Sequence, residues 1–274
     1  MNAQELESAI LFEDDYILVL NKPAGWVVNR ANTYTELTVQ EWMEERLGVR
    51  EQGIGNKERT NELTSQRETP YGTPEEIFTQ RGGIVHRLDK DTSGVLLLAK
   101  TPDVLVELLR QFRERETQKE YIALVHGKLV PSFGSIRLPM DRSSEDRKKF
   151  AIDPNGRMSE TEYKLIEFFP GLPRGISQKK GKSYQGFSLT RLHPKTGRTH
   201  QIRVHMAAIK HPLVGDGVYA GKKRIVLDKE WCPRQFLHAA KLVFTHPINK
   251  ERVCFEAPLA KDLQIVLEKL HPTQ

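Results

Sequence analysis

The stretch Gly82-Gly83-Ile84-Val85-His86-Arg87-Leu88-Asp89-Lys90-Asp91-Thr92-Ser93-Gly94-Val95-Leu96-Leu97-Leu98-Ala99 joins a polar, glycine-bounded turn to an unbroken apolar run. The run from Gly94 to Ala99 has no polar interruption, which predicts a strand buried on both faces. Thr101-Pro102 then supplies an N-cap and a proline at the first helical position. Val104, Leu105, Leu108, Leu109 and Phe112 recur at helical spacing, so a helix is expected to about Arg115.

Upstream of this segment, Tyr16 to Leu20 reads as a buried strand that stops at the turn Asn21-Lys22-Pro23-Ala24-Gly25, and Trp26-Val27-Val28 resumes extended chain. Thr38-Val39-Gln40-Glu41 has capping-box spacing and starts a helix through Trp42, Met43 and Leu47. From Gly48 to Arg81 aliphatic residues almost vanish in favour of Gly, Asn, Thr, Glu and Arg, the composition of a long exposed insertion. Downstream, strands are expected at Glu120–Leu129, Gly134–Leu138, Glu160–Phe169, Phe187–Leu192, Lys241–Thr245 and Arg252–Glu256, with helices at Thr199–Ile209 and Ala260–Leu270. Strands outnumber helices without alternating strictly with them. The expected class is α+β with a mixed, mostly antiparallel sheet.

The chain has 274 residues, 42 Lys+Arg against 36 Asp+Glu, and a net charge of +6. That is enough chain for a sizeable core. The charge favours an anionic partner without naming it. Val95–Ala99 is the longest compact apolar run and falls far short of the roughly 20 residues of a membrane span. The acidic N-terminus has no signal-peptide character, and Cys232 and Cys254 lack the spacing of a disulfide or zinc framework. These features read as a cytoplasmic protein.

Three segments are richer in reactive side chains than a fold requires. In His86–Gly94 a carboxylate stands before the buried strand with Arg87 and Lys90 in reach, although short polar residues with Gly also suit a plain turn. In Lys195–His205, Gly197 and Thr199 can open a helix and leave amide N–H groups for a phosphate. There Ile202, Met206 and Ile209 share a core face, with Arg203 on its flank. His200 and His205, five apart, point roughly 140° away from each other on a helix, so no metal site is expected. In Gln118–Gly127, Tyr121 shares a strand face with Ala123 and Val125, a position that suits packing as well as catalysis.

Taken together, these segments resemble the signature of the RluA-type RNA pseudouridine synthases. The resemblance rests on His86-Arg87-Leu88-Asp89 with Asp91-Thr92-Ser93-Gly94, on Asn21–Gly25, Lys119-Glu120-Tyr121 and Gly197–His205. It continues in His211-Pro212-Leu213-Val214-Gly215-Asp216 and Leu237-His238-Ala239. It implies a pseudouridine synthase fold over residues 11–271, preceded by a leader at 1–10 and interrupted by the insertion at 48–81. Many such enzymes carry an N-terminal S4 RNA-binding domain; the likeness here begins at Leu11, so none is expected.

The resemblance implies conversion of uridine within structured RNA, tRNA or rRNA, to pseudouridine. The reaction breaks the N1–C1′ bond and rejoins the base through C5, with no cofactor or metal required. It implies Asp89 as the catalytic carboxylate, acting at the ribose or the base by a route the residues leave open. It makes Arg203 the partner that keeps Asp89 ionised and Tyr121 the ring stacked on the target base. Arg87 becomes the wedge or a phosphate contact during base flipping. Lys22, Arg198 and His200 join the substrate-binding set. Asn21, Lys22 and Pro23 are expected to support the pocket floor, because a Pro turn fixes backbone direction. His205 and His238 suit hydrogen-bonded core positions as well. A monomer with no protein partner is expected. RNA contacts are expected from the insertion and from Arg147-Lys148-Lys149, Lys179-Lys180 and Lys222-Lys223-Arg224. The alternatives are an inactive RNA-binding module of the same fold, which would not need Asp89, Tyr121 and Arg203 together, and a glycosidase. For the latter, Asp89 and Asp91 on one turn need not face each other across a sugar.

Overall fold

The computed structural model describes residues 3–30, 34–48, 72–147 and 149–270. In chain order the elements are α1 (Ala3–Glu7), β1 (Ile10–Glu13), β2 (Ile17–Lys22), α2 (Val39–Arg46), α3 (Pro74–Arg81), β3 (Ser93–Ala99) and α4 (Pro102–Arg113). There follow β4 (Gln118–His126), β5 (Phe133–Arg142), β6 (Phe150–Ile152), β7 (Arg157–Phe169), a 3-10 turn at Lys180–Ser183 and β8 (Phe187–Pro194). The chain ends with α5 (Gln201–Ala208), α6 (Lys222–Asp228), β9 (Leu237–Thr245), β10 (Arg252–Glu256) and α7 (Lys261–Glu268). The chain forms two compact units. The first comprises Met1–Lys90, Val95–Thr117 and Phe244–Phe255; the second comprises Asp91–Gly94, Gln118–Val243 and Glu256–Gln274.

In the first unit β1 pairs antiparallel with β2, Ile10 opposite Leu20 and Glu13 opposite Leu18, and β3 neighbours β2. β3 is buried along its whole length, as its apolar run predicts. The capping box at Thr38 and Glu41 forms as expected, and the amides of Val39 and Gln40 donate to the carbonyls of Val27 and Val28. α4 starts behind Thr101, whose side chain makes no capping bond, so Pro102 alone sets its first turn. It ends at Arg113 rather than Arg115. Buried Gln111 fixes the hairpin of β9 and β10: its Nε2 donates to Thr245 O at 2.8 Å and its Oε1 accepts from Thr245 N at 3.0 Å.

Two expectations for this unit need correction. The segment read as a polar leader contains α1, with Leu6 fully buried, and β1 begins at Ile10. The insertion read over 48–81 includes α3, started by a second capping box between Thr73 and Glu76 and stopped by Gly82 in the left-handed region at φ 54°. Only Ile77 and Phe78 are buried along α3, too few apolar positions to show a helical period. Residues 49–71 of the expected insertion lie outside the described residues.

The second unit orders its strands β9-β4-β8-β7-β5-β6. β4 runs antiparallel to β8 and β9, and β7 antiparallel to β8 and β5. Ser93 and Gly94 of β3 pair in parallel with His238 and Ala239 of β9. The sheet is therefore mixed and mostly antiparallel, as the sequence predicts. β4 divides two cores by simple alternation. Ala123 and Val125 face Ile202 and Met206 of α5 together with Leu192, Leu213 and Leu237. Leu124 faces the opposite cluster, with Phe187, Trp231, Phe236 and the α7 residues Leu263 and Val266. β6 and α6 do not stand out in the sequence: β6 has three residues, and α6 opens with three cations and buries only Leu227 and Asp228.

The parallel join of β3 to β9 depends on Gly94. Its φ is 115°, and a Cβ there would lie 2.1 Å from the carbonyl oxygen of Ala239. Gly94→Ala is expected to cost more than about 2 kcal/mol through backbone strain and collision, read as a melting temperature lower by roughly 5–10 °C. Gly217→Ala, where nothing lies within 4 Å of the new methyl, should leave melting nearly unchanged. Equal melting of the two variants would contradict the close approach.

Candidate active site

Asp89 lies at the end of the first unit in a segment without regular secondary structure, and other groups fix its backbone. Lys22 is fully buried, and its Nζ donates to the carbonyls of Pro23 at 2.8 Å, Trp26 at 3.0 Å and Lys90 at 3.1 Å. The amide of Gly25 donates to the same Lys90 carbonyl at 2.8 Å. The Asn21–Gly25 turn therefore grips the peptide between Lys90 and Asp91. Upstream, the Arg81 Nε donates to Ile84 O at 2.8 Å and one of its Nη atoms to Val85 O at 3.2 Å. His86 Nε2 accepts from the amide of Leu97 at 3.1 Å, and its ring stacks on Phe112 with centroids 4.8 Å apart. Asp89 is half-buried, whereas Arg87 and Lys90 are exposed, and the Lys90 ammonium lies 5.1 Å from the centre of the Tyr34 ring.

The residues following Lys90 belong to the second unit, where each has a buried partner. Arg234 donates from Nη1 to Asp91 O at 2.9 Å and from Nη2 to Ser93 Oγ at 3.1 Å. Its Nε and Nη2 also bind Asp262 bidentately at 2.6 and 2.9 Å. Burial alone would raise the Asp262 carboxyl, but the hydrogen bonds and charge of Arg234 outweigh it and hold that carboxyl below its ordinary value. Gln235 Nε2 donates to Thr92 Oγ1 at 2.8 Å. His238 Nε2 donates to Ala257 O at 3.1 Å, which leaves Nδ1 to accept from Ser93 Oγ at 2.9 Å. Burial lowers the His238 imidazole, consistent with this neutral form. Thr92, Ser93 and Gly94 thus shape the turn.

Tyr121 sits on β4, half-buried, opposite Leu192 of β8 and Ala239 of β9, and packs against the α5-side core. Arg203 is 5% exposed, not on the flank that helical spacing alone assigns it. Its Nε and one Nη donate to the two oxygens of fully buried Asp216 at 2.8 and 2.9 Å. Asp216 Oδ1 also accepts from the amides of Val218 and Tyr219. The Arg203 guanidinium lies 5.2 Å from the centre of the Tyr219 ring, and the Tyr219 hydroxyl meets His200 Nδ1 at 3.0 Å. Asp216 and Tyr219 are therefore functional candidates that residue types alone do not reveal. The one available signal is the place of Asp216 at the end of His211–Asp216, a segment that carries the family resemblance.

The loop before α5 differs from its expected form. The helix starts at Gln201, behind His200 at φ 58°, rather than at Thr199. Gln201 Oε1 accepts from the Arg198 amide at 3.1 Å and from Thr196 Oγ1 at 2.6 Å, so the Arg198 amide is held inside the loop. The Arg198 side chain is exposed and His200 is half-buried. His205 is fully buried with Nδ1 at 2.9 Å from Thr161 Oγ1, and burial pushes its imidazole down to about 4. The Lys22 ammonium meets three carbonyls inside the fold, among them that of Lys90 in the Asp89 segment.

Comparison with known proteins matches residues 16–208 to the family model for RNA pseudouridylate synthase. The chain is 35% identical over 277 residues to ribosomal large subunit pseudouridine synthase D of Xanthomonas campestris pv. campestris, covering 97% of this chain and 70% of that one. It is 35% identical over 276 residues to the protein of the same name from Pseudomonas aeruginosa, with 98% and 73% covered. Among solved structures, human RNA pseudouridylate synthase domain containing 1 aligns with a TM-score of 0.62 at 27% identity, covering 94% of this chain and 85% of that one. Human RNA pseudouridylate synthase domain containing 4, at 21% identity and a TM-score of 0.64, covers 98% of this chain and 95% of that one and shares its fold. The family match spans both the segment that carries Asp89 and the helix that carries Arg203, so the chain belongs to the RNA pseudouridylate synthase family and is an enzyme that isomerises uridine in RNA to pseudouridine.

Proposed function

We propose that the protein acts on large-subunit ribosomal RNA in the cytoplasm, with Asp89 as its catalytic carboxylate. The RNA class is supported by the names of the relatives at 35% identity over nearly the whole chain. The observation that carries the role of Asp89 is the anchoring of its backbone, through the Lys90 carbonyl held by Lys22 and Gly25. A reacting group must be held within a fraction of an ångström, and side chains that lock the neighbouring backbone supply that precision.

The isomerisation breaks N1–C1′ and forms C5–C1′; the C5 proton leaves and N1 regains one, so atoms balance within the nucleotide. The Asp89 carboxylate supplies the negative charge that works at the ribose or adds to the base. Desolvation by a bound uridine would favour its protonated form, and a guanidinium opposes that. Arg203 fills this role, its plane set by Asp216 on one side and by the Tyr219 ring. Tyr121 stacks on the flipped base. Arg87, exposed beside Asp89, enters the vacated space in the RNA stack, because a planar guanidinium can stack on bases. Arg198 and His200 contact phosphate.

The direct test is tritium release from ribosomal RNA carrying [5-³H]uridine. Wild type is expected to release tritium and Asp89→Asn to fall by at least about a hundredfold with RNA affinity retained. Release from transfer RNA but not from ribosomal RNA would overturn the ribosomal assignment. Normal release by Asp89→Asn would overturn the role of Asp89.

A second test concerns Arg203. Asp216→Asn keeps the side-chain shape but turns one acceptor oxygen into a donor and removes the charge, so kcat is expected to fall roughly tenfold or more with KM nearly unchanged, since such a pair contributes a few kcal/mol. Tyr219→Phe, which keeps the ring, should retain most of the turnover. A loss confined to KM, or no loss in Asp216→Asn, would contradict the positioning role.

A further inference from the structure

A cavity of about 200 Å³ opens in the second unit, lined by His126, Gly127, Lys128, Gln185, Lys210, His211 and Arg224. Three of these carry permanent cations, two are imidazoles, and among the described residues no carboxylate lines the cavity. The lining converges from four places in the chain: the end of β4, the loop before β8, the residues after α5 and the first turn of α6. Like charges drawn together from separate elements repel one another, and an anion bound among them relieves that repulsion.

Local contacts hold the lining in place. His211 Nδ1 donates to the carbonyl of His126 at 2.8 Å, which fixes one imidazole on the cavity wall. His126 Nε2 meets Asp228 Oδ2 at 3.0 Å, and Asp228 also accepts from Tyr184 Oη at 2.6 Å and from the amide of Gly215 at 2.9 Å. The Asp228 carboxylate that His126 meets is not part of the lining and has donors of its own in Tyr184 and Gly215. The Lys128 ammonium lies 5.4 Å from the centre of the Phe168 ring, and Lys210 holds a left-handed backbone at φ 70°. Lys128, Lys210 and Gln185 are exposed, and Arg224 is half-buried. The basic cluster Lys222-Lys223-Arg224 thus contributes its third member to a shared cavity, whereas Lys180 of the Lys179-Lys180 pair is bound by Glu230.

We infer that this cavity holds a backbone phosphate of the RNA substrate, at a point remote from the modified uridine. The inference rests on the proposed placement of that uridine at Tyr121. Tyr121 and His126 are five residues apart on β4, about 17 Å at the rise of a strand, a distance that several base pairs of a flanking stem can span. Hydrated, flexible lysines at an open mouth suit phosphodiester oxygens and carry no base code. The site therefore positions the RNA and leaves sequence reading to other contacts. A free phosphorylated small molecule presents the same chemistry, and the test separates the two.

The test compares wild type with Lys128→Ala/Lys210→Ala and with Arg224→Ala, using a ribosomal RNA fragment with an extended stem and a short hairpin holding only the target loop. The double variant is expected to bind the extended fragment about tenfold more weakly, with a slope of log K against log salt shallower by roughly 0.7–0.9, as for one lost phosphate contact. Affinity for the short hairpin and turnover at saturating RNA should match wild type. Unchanged affinity for the extended fragment overturns the inference, as does equal weakening on both RNAs. Saturable binding of inorganic phosphate that the variants abolish, with RNA affinity intact, assigns the cavity to a small anion and also overturns it. Failure of wild type to release tritium from any ribosomal RNA would instead overturn the reading on which the inference rests.

Discussion

Asp89 stands in a segment with neither helix nor strand, and two carbonyls that follow it are each held by a buried cation. Lys22 donates to the carbonyl of Lys90, and Arg234 donates to the carbonyl of Asp91. Burying a cation is costly unless every donor is satisfied. Lys22 meets three carbonyls, while Arg234 combines Asp262, Asp91 and Ser93. The stability of the turn and the placement of the carboxylate thus rest on the same bonds. Gly94 completes the arrangement by allowing the chain to approach Ala239 closely.

Much of the fold was legible because its long strands carry unambiguous hydrophobic patterns. The run through β3 is apolar at every position and is buried at every position. The alternation along β4 assigns Ala123 and Val125 to one core and Leu124 to the other. Short or polar elements escaped: α3 has two buried side chains, β6 has three residues, and α6 opens with three cations and buries only Leu227 and Asp228. In α3 the Thr73–Glu76 capping box was the signal available, and the polar composition around it obscured that signal.

Chemistry that demands unusual residue types in a fixed order is what lets Asp89, Tyr121 and Arg203 be proposed from the chain alone. Partners that depend on burial are not legible there. The three carbonyls that hold the Lys22 ammonium come from Pro23, Trp26 and Lys90, the last 68 residues away. Asp216 lies 13 residues beyond Arg203, and no local spacing rule joins a helix residue to a turn after it. The basic clusters show the same limit: Lys180 is neutralised by Glu230, while Arg224 joins cations from distant segments around one cavity.

The central claim is that a buried cation places Asp89 through the backbone. Replacing Lys22 with Met keeps an unbranched chain one heavy atom shorter and removes the ammonium that donates to the three carbonyls, so it isolates that contribution. Single-turnover rates and RNA affinity measured on the folded Lys22→Met protein test the claim most directly. The account predicts a rate lower by at least about tenfold, since displacement of the reacting group by an ångström carries a penalty of that order or more, with affinity for RNA unchanged. A weakened affinity with the single-turnover rate intact would show Lys22 acting on the RNA itself, and would contradict the account.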